Sequence, residues 1–251
     1  MPEIKIDHGT SYRKGLNDMK KIGIIGAMEI EVETLKSHMQ IKNTITKASM
    51  TFLEGTLNGV DVIIVRSGIG KVNAGICVQI LVDLFEVTHI INTGVAGSLN
   101  AAIDIGDIVL STDTLYHDVD ATGFGYPIGE VPQLGTLSFA ADPQMIAVAK
   151  ESCEKVNPDI KVFEGRIVSG DQFVSDPKIK ENILSHFNDA LCTEMEGAAI
   201  SHGAWLNHVP FVIIRAISDK ADDSAHMDYP AFEKAAADHS AKLVEDMIQN
   251  L

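Results

Sequence analysis

Residues 211–217, FVIIRAI, are apolar and β-branched apart from Arg215. A strand with one wet face alternates apolar and polar residues; a strand without that alternation is covered on both faces. A chain with such a run is committed to a layered fold, with helices on each side of a sheet. The run ends in Ser218 and Asp219. A carboxylate is thereby delivered to the end of a core strand, where ligands sit in open α/β sheets.

The remaining sequence supports that architecture. Apolar, β-branched runs bounded by Gly, Asn, Asp or Pro place further strands at 21–26, 51–57, 60–67, 89–93, 107–115, 161–169 and 190–194. Helical periodicity covers 28–40, 72–85, 143–156, 177–185, 197–207 and 229–249. Asn58-Gly59 marks a hairpin turn between two of the strands. Strands alternating with helices predict a parallel or mixed sheet covered on both faces. No repeat, low-complexity tract or linker divides the chain, so one domain is expected over 20–251. Residues 1–19 are polar and lack periodicity, and are expected to form a flexible extension ahead of it.

Composition narrows the function. The 251 residues are 45% hydrophobic, enough for one large core. A net charge of −15 argues against nucleic acid and anionic membranes as partners. No apolar run approaches a membrane span of roughly 18 residues, and the N-terminus lacks the apolar core of a signal peptide. Cys77, Cys153 and Cys192 are odd in number and form no C-x-x-C. They read as reduced thiols of a cytoplasmic protein. The nine histidines show no H-E-x-x-H and no metal spacing, and neither metal nor cofactor is expected.

Glycine patterns at strand ends do not complete a nucleotide-binding signature. Gly23-Ile24-Ile25-Gly26 is not followed by G-x-G-x-x-G. Gly68-Ile69-Gly70-Lys71 has Val65 where a P-loop needs its first glycine and Val72 where it needs Ser or Thr. These glycines are expected to permit tight strand-to-helix turns. In Asn92-Thr93-Gly94-Val95-Ala96-Gly97, Gly94 and Gly97 would form a plain turn or let backbone approach a ligand. The connection 116–137 is long and rich in Gly, Pro and aromatics, the mark of a functional or interface loop.

Carboxylates gather at strand ends. In the helix 28–40, Met28, Val32, Leu35 and Met39 form the core stripe, and at about 100° per residue Glu31 lies nearer to it than Glu29 or Glu33. Glu196 opens a helix of small residues after Glu194 and Met195, where it is either pinned between elements or serving the helix N-terminus. Asp219 could also cap a short turn at 220–223. Three carboxylates at three strand ends, without a metal-ligand cluster, point to acid–base chemistry on a small polar molecule.

The segments KIGIIGAMEIEV, SGIGKVNAG, INTGVAGSL, GDIVLS, YHDVDATGFGY, IVSGDQFVSD, EMEGAAI and VPFVIIRAISDKAD occur in this order from about Lys20 onwards. Together they resemble the 5′-methylthioadenosine/S-adenosylhomocysteine nucleosidases of the nucleoside phosphorylase superfamily. The resemblance implies a three-layer α/β/α sandwich around a mixed, partly barrel-like sheet, usually homodimeric. It implies hydrolysis of the N-glycosidic bond of 5′-methylthioadenosine, S-adenosylhomocysteine and 5′-deoxyadenosine, serving methionine salvage and removal of a methyl-cycle by-product. By motif, Glu31 would activate water and Asp219 would protonate adenine N7. Glu196 would bind the ribose hydroxyls beside Met195. Phe173 would stack on adenine, the backbone of Val174 would read its edge, and Gly97 would line the base pocket. Arg215 would orient the carboxylate and water, and Phe124 of the partner subunit would cover the 5′-thio group. Ala27, Met28 and Ser218 complete the implied lining.

One departure is Val95, where the family often has Ser near the attacking water. Two other readings compete. A phosphorolytic enzyme of the same superfamily typically carries G-D-P-x-R-A after the first strand; here that place holds the acidic GAMEIEV. A non-catalytic adenosine-binding protein is disfavoured by the joint presence of Glu31, Glu196 and Asp219.

Overall fold

The computed structural model describes residues 20–251; the expected extension 1–19 lies outside the described residues. Five strands close into a barrel: β5 (His89–Ser98), β10 (Phe211–Asp219), β6 (Ile108–Tyr116), β8 (Val162–Ser169) and β9 (Ala190–Glu194). β10 pairs parallel to β5 and antiparallel to β6, and β9 completes the ring antiparallel to β5. From β5 the sheet continues through β1 (Lys21–Gly26), β4 (Val60–Arg66), β3 (Met50–Leu57) and β2 (Gln40–Lys47). β7 (Phe139–Ala140) is a short addition to β6.

Helices α1 (Glu29–His38), α3 (Pro143–Val156) and α6 (Ala225–Asn250) cover one face. Helices α2 (Lys71–Phe85) and α5 (Gly197–Leu206) cover the other. α4 (Pro177–His186) packs with a smaller cluster around Leu115, Val168 and Ile183. The lack of alternation in β10 is explained by this layering: Phe211, Ile213 and Ile217 enter the α2–α5 core, and Val212, Ile214 and Ala216 the α1–α3–α6 core. The expected α/β/α sandwich with a partly barrel-like sheet is the observed fold.

Several elements depart from the sequence reading. β2 follows α1 directly; it is a largely exposed edge strand whose polar QIKNTITK lacks an apolar signal. β5 runs through the glycine-rich stretch to Ser98 instead of turning after Thr93. α6 begins at Ala225, a turn before Tyr229, and accommodates Pro230 inside the helix. Gly68 and Gly70 have φ of +87° and +97°, the left-handed conformation that lets β4 turn tightly into α2.

Candidate active site

A cavity of about 470 Å³ opens where the chain leaves β1, β4, β8, β9 and β10, and the first turns of α6 form one wall. Its walls are largely apolar, while Glu31, Glu194, Glu196 and Asp219 converge on it. This is the usual form of a small-molecule site: an apolar enclosure with a few directed polar groups.

Glu31 is buried on the first turn of α1. One carboxylate oxygen accepts the backbone N–H groups of Ala27 and Met28 at 2.7 and 2.9 Å. The other accepts the N–H of Val95 at 3.0 Å. Burial raises its pKa, against the charge of Arg215 and these three hydrogen bonds. A carboxylate so placed is fixed in direction and made more basic than in water.

Asp219 sits where β10 slips register against β5: Ile217 pairs with Ala96, and Asp219 with Gly97, leaving Ser218 as the extra residue. The bulge turns the carboxyl group into the cavity. Its oxygens accept the N–H of Ala221 at 2.8 Å and the hydroxyl of Ser218 at 2.9 Å. Burial raises its pKa, and Asp228 and Asp222 add to the rise. A carboxyl group that holds its proton more tightly than usual is suited to donate it near neutrality.

Glu196 is buried just before α5 and accepts the N–H of Gly70 at 2.7 Å. Burial and the neighbouring Glu194 raise its pKa. Of the two roles open in the sequence, pinning between elements is the one seen; no side-chain cap to α5 is formed. Glu194 performs that task instead. It accepts the N–H groups of Glu196 and Gly197 at 3.1 and 2.7 Å, the hydroxyl of Ser169, and the guanidinium of Arg215.

Arg215 is fully buried behind the cavity wall, hydrogen-bonded to Glu194, Asn92 and the carbonyl of Ile214. The carboxylate it holds by hydrogen bonds is that of Glu194, and it acts on Glu31 through its charge. Burial of so large a cation is tolerated because three acceptors surround it, one of them the buried carboxylate of Glu194.

Ala27, Met28, Gly97, Val174, Met195 and Ser218 line the cavity, together with Phe173, whose ring also meets His226 and Tyr229. Phe124 lies on a short 3-10 turn, 87% exposed and outside this chain's cavity. Sequence reasoning missed Ile69, Gln172, Thr193, His226, Tyr229 and Pro230. Ile69, held out between two left-handed glycines, carried a signal; the α6 residues enter by long-range packing and carried none.

The glycines of β5 make no turn. A Cβ on Gly94 would stand 2.6 Å from a Glu31 oxygen, and one on Gly97 would stand 2.8 Å from an Asp219 oxygen. Both make room for carboxylates.

The profile of the phosphorylase superfamily matches residues 21–249. A 5′-methylthioadenosine/S-adenosylhomocysteine nucleosidase of Chromohalobacter salexigens is 43% identical over 233 residues, spanning 93% of this chain and 98% of the relative. This chain belongs to that nucleosidase family. Two crystal structures show how closely the family's backbone is followed. The nucleosidase of Neisseria meningitidis, in complex with methylthio-immucillin-A, superposes with a TM-score of 0.89 at 40% identity, covering 93% of this chain and 100% of that one. The futalosine hydrolase of Helicobacter pylori superposes at 0.87 with 33% identity, covering 93% and 99%. The cavity thus holds three carboxyl groups with raised pKa values: Glu31 fixed by three backbone N–H groups, Asp219 at the end of β10, and Glu196 beside Gly70.

Proposed function

We propose that the protein hydrolyses the N-glycosidic bond of 5′-methylthioadenosine and S-adenosylhomocysteine, releasing adenine and the 5-thio-substituted ribose. The observation that carries hydrolysis over phosphorolysis is the use of the site's backbone donors. The N–H groups of Ala27, Met28 and Val95 are taken by Glu31, and that of Gly70 by Glu196. Donors that could cradle a phosphate are filled by the protein's own carboxylates, whose charge repels a second anion.

Cleavage of an N-ribosidic bond builds positive charge on the sugar, as in glycosidase transition states. Glu31 and Glu196 place negative charge beside it. Glu31 takes a proton from water as the water attacks the anomeric carbon. Asp219 gives its proton to N7, so that adenine leaves neutral. Base and acid come from different elements, α1 and the end of β10, as attack and departure on opposite faces of the sugar require. Phe173 stacks on the base, Val174 reads its edge, and Met28, Ile69 and Met195 supply apolar contact. Selection of a thioalkyl group by such a wall amounts to about 1–3 kcal/mol per methylene-sized group. The reading extends to 5′-deoxyadenosine, which has the same reacting atoms.

The protein acts as a homodimer in the cytoplasm, with Phe124 of the partner subunit closing the 5′ end of the site. The apolar exposure of Phe124 and Ile69 supports this assembly. Among the described residues no helix is long and apolar enough to cross a membrane. The test is adenine release from 5′-methylthioadenosine in phosphate-free buffer. Release that required phosphate and yielded a ribose 1-phosphate would overturn hydrolysis.

A further inference from the structure

Outside the cavity, one cation is tied to the strand ends that hold the acid. Lys180, half-buried on α4, donates from Nζ to the carbonyl of Ser98 at 3.0 Å and to the carbonyl of Lys220 at 2.5 Å. Ser98 is the last residue of β5 and follows Gly97, whose bare Cα faces Asp219. Lys220 is the residue after Asp219. A single ammonium therefore bridges the two segments between which the Asp219 carboxyl is seated, at a bulge where the ladder itself is irregular.

Burial lowers the pKa of Lys180, and Asp222 opposes that most; Lys220 adds to it and Asp219 opposes it. The ammonium of Lys220 is directed away, to the carbonyl of Ile103 and to Asp104. The turn after β10 is thus held from two sides, by Lys180 through the main chain of residue 220 and by Lys220 through its own side chain. Only the first hold also reaches β5.

We propose that Lys180 is a positioning residue for Asp219: by pinning the end of β10 to the end of β5, it fixes the carboxyl group at the distance from which it protonates the leaving base. The proposal rests on the hydrolase reading above. Lys180 touches no substrate, so its effect passes through the placement of Asp219, and errors of about 1 Å in such placement cost up to roughly 10²-fold in rate.

A double-mutant cycle separates this role from general support of the fold. Adenine release from 5′-methylthioadenosine is measured for wild type, Lys180→Met, Asp219→Asn and the double variant, with melting temperatures alongside. Lys180→Met is expected to lower kcat about tenfold with KM within about threefold of wild type. In the Asp219→Asn background the same change is expected to cost less than about twofold, because the group it positions is already disabled. Undiminished kcat in Lys180→Met, or an equal fold-loss in both backgrounds, would overturn the proposal. If the Met variant does not fold, Lys180→Gln, which keeps a donor for one carbonyl, enters the same cycle under the same criteria. A wild type that releases no adenine would remove the hydrolase reading and this inference together. An active wild type with an equally active variant would remove this inference alone.

Discussion

Two carboxylates with raised pKa values respond differently to the same amide replacement, because their hydrogen bonds differ. Glu31 accepts backbone N–H groups on both oxygens. A glutamine there must turn its NH₂ toward at least one N–H, leaving a buried donor without an acceptor at roughly 1–3 kcal/mol. Glu31→Gln is therefore expected to lose about 10²–10⁴-fold in turnover and to melt several degrees lower. Asp219 accepts one N–H, from Ala221, and one hydroxyl, from Ser218. The hydroxyl can rotate to accept from an amide. Asp219→Asn is expected to lose turnover to a similar degree without a matching loss of stability. Its folded pKa is raised, so the stabilisation from its bound proton is complete below the unfolded pKa and is lost as pH rises through the folded one. The Asn variant has no such loss, and its melting temperature should gain on wild type as pH rises from the ordinary carboxylate range through the raised folded pKa. Thermal melts of both variants across that range check the contrast; a parallel wild-type curve for Asp219→Asn would contradict the raised pKa. Val95 offers a third case. Its N–H serves Glu31 and its side chain lines the cavity. The side chain is buried and also belongs to the α1–α3–α6 core; if the added hydroxyl of Val95→Ser faces the cavity, turnover is expected to hold or rise with little change in melting temperature. A joint drop in both would place the hydroxyl in the core, where an unpaired hydroxyl costs roughly 1–3 kcal/mol.

At the scale of elements, β5 organises the site, and it is also where sequence and structure part. The sequence reading ends this strand at Thr93 because Gly-Val-Ala-Gly has turn composition. In the structure the glycines remain in the ladder: β10 pairs with both Gly94 and Gly97, β9 pairs with Gly97, and the carboxyl groups of Glu31 and Asp219 pack against them. Gly94→Ala places a methyl group 2.6 Å from Glu31, and Gly97→Ala places one 2.8 Å from Asp219 and 2.9 Å from Ala221. Each is expected to cost at least about 10²-fold in kcat through displacement of the carboxylate. Steady-state assays of both variants decide this, and near-normal rates would mean that β5 yields easily. Glu31 was legible from its phase on α1 only together with its place one turn past the end of β1. Glu194 was visible as a residue but not as the anchor of α5. Its partners, Ser169 and Arg215, stand 25 and 21 residues away, and no local pattern joins them. β2 escaped because an exposed edge strand needs no apolar alternation, and the α6 side of the cavity because its residues arrive by tertiary packing.

For the whole molecule, the outer face of α2 and α5 is the least explained surface of a single chain. Val72 and Leu206 are 72% and 56% exposed, and Ile76 and Trp205 add to the apolar surface of the same helices. α2 and α5 pack against each other, and α2 begins just beyond Ile69 at the cavity. A chain with a net charge of −15 is kept apart by its own repulsion unless apolar contact outweighs it. Large exposed apolar side chains beside an open site are a poor end state for a monomer, and a two-fold partner is the commonest way to cover them. With Phe124 closing the partner's site as proposed, assembly and turnover would be coupled. Ile76→Glu should therefore dissociate the dimer and lower turnover together, although Ile76 lines no part of the cavity. Sedimentation velocity at micromolar concentration, run beside the adenine-release assay, reads both quantities on one sample. The expected result is twice the chain mass for wild type, and a slow monomer for Ile76→Glu whose rate recovers at concentrations high enough to restore pairing. A fully active monomer, of either protein, would detach the site from the partner subunit.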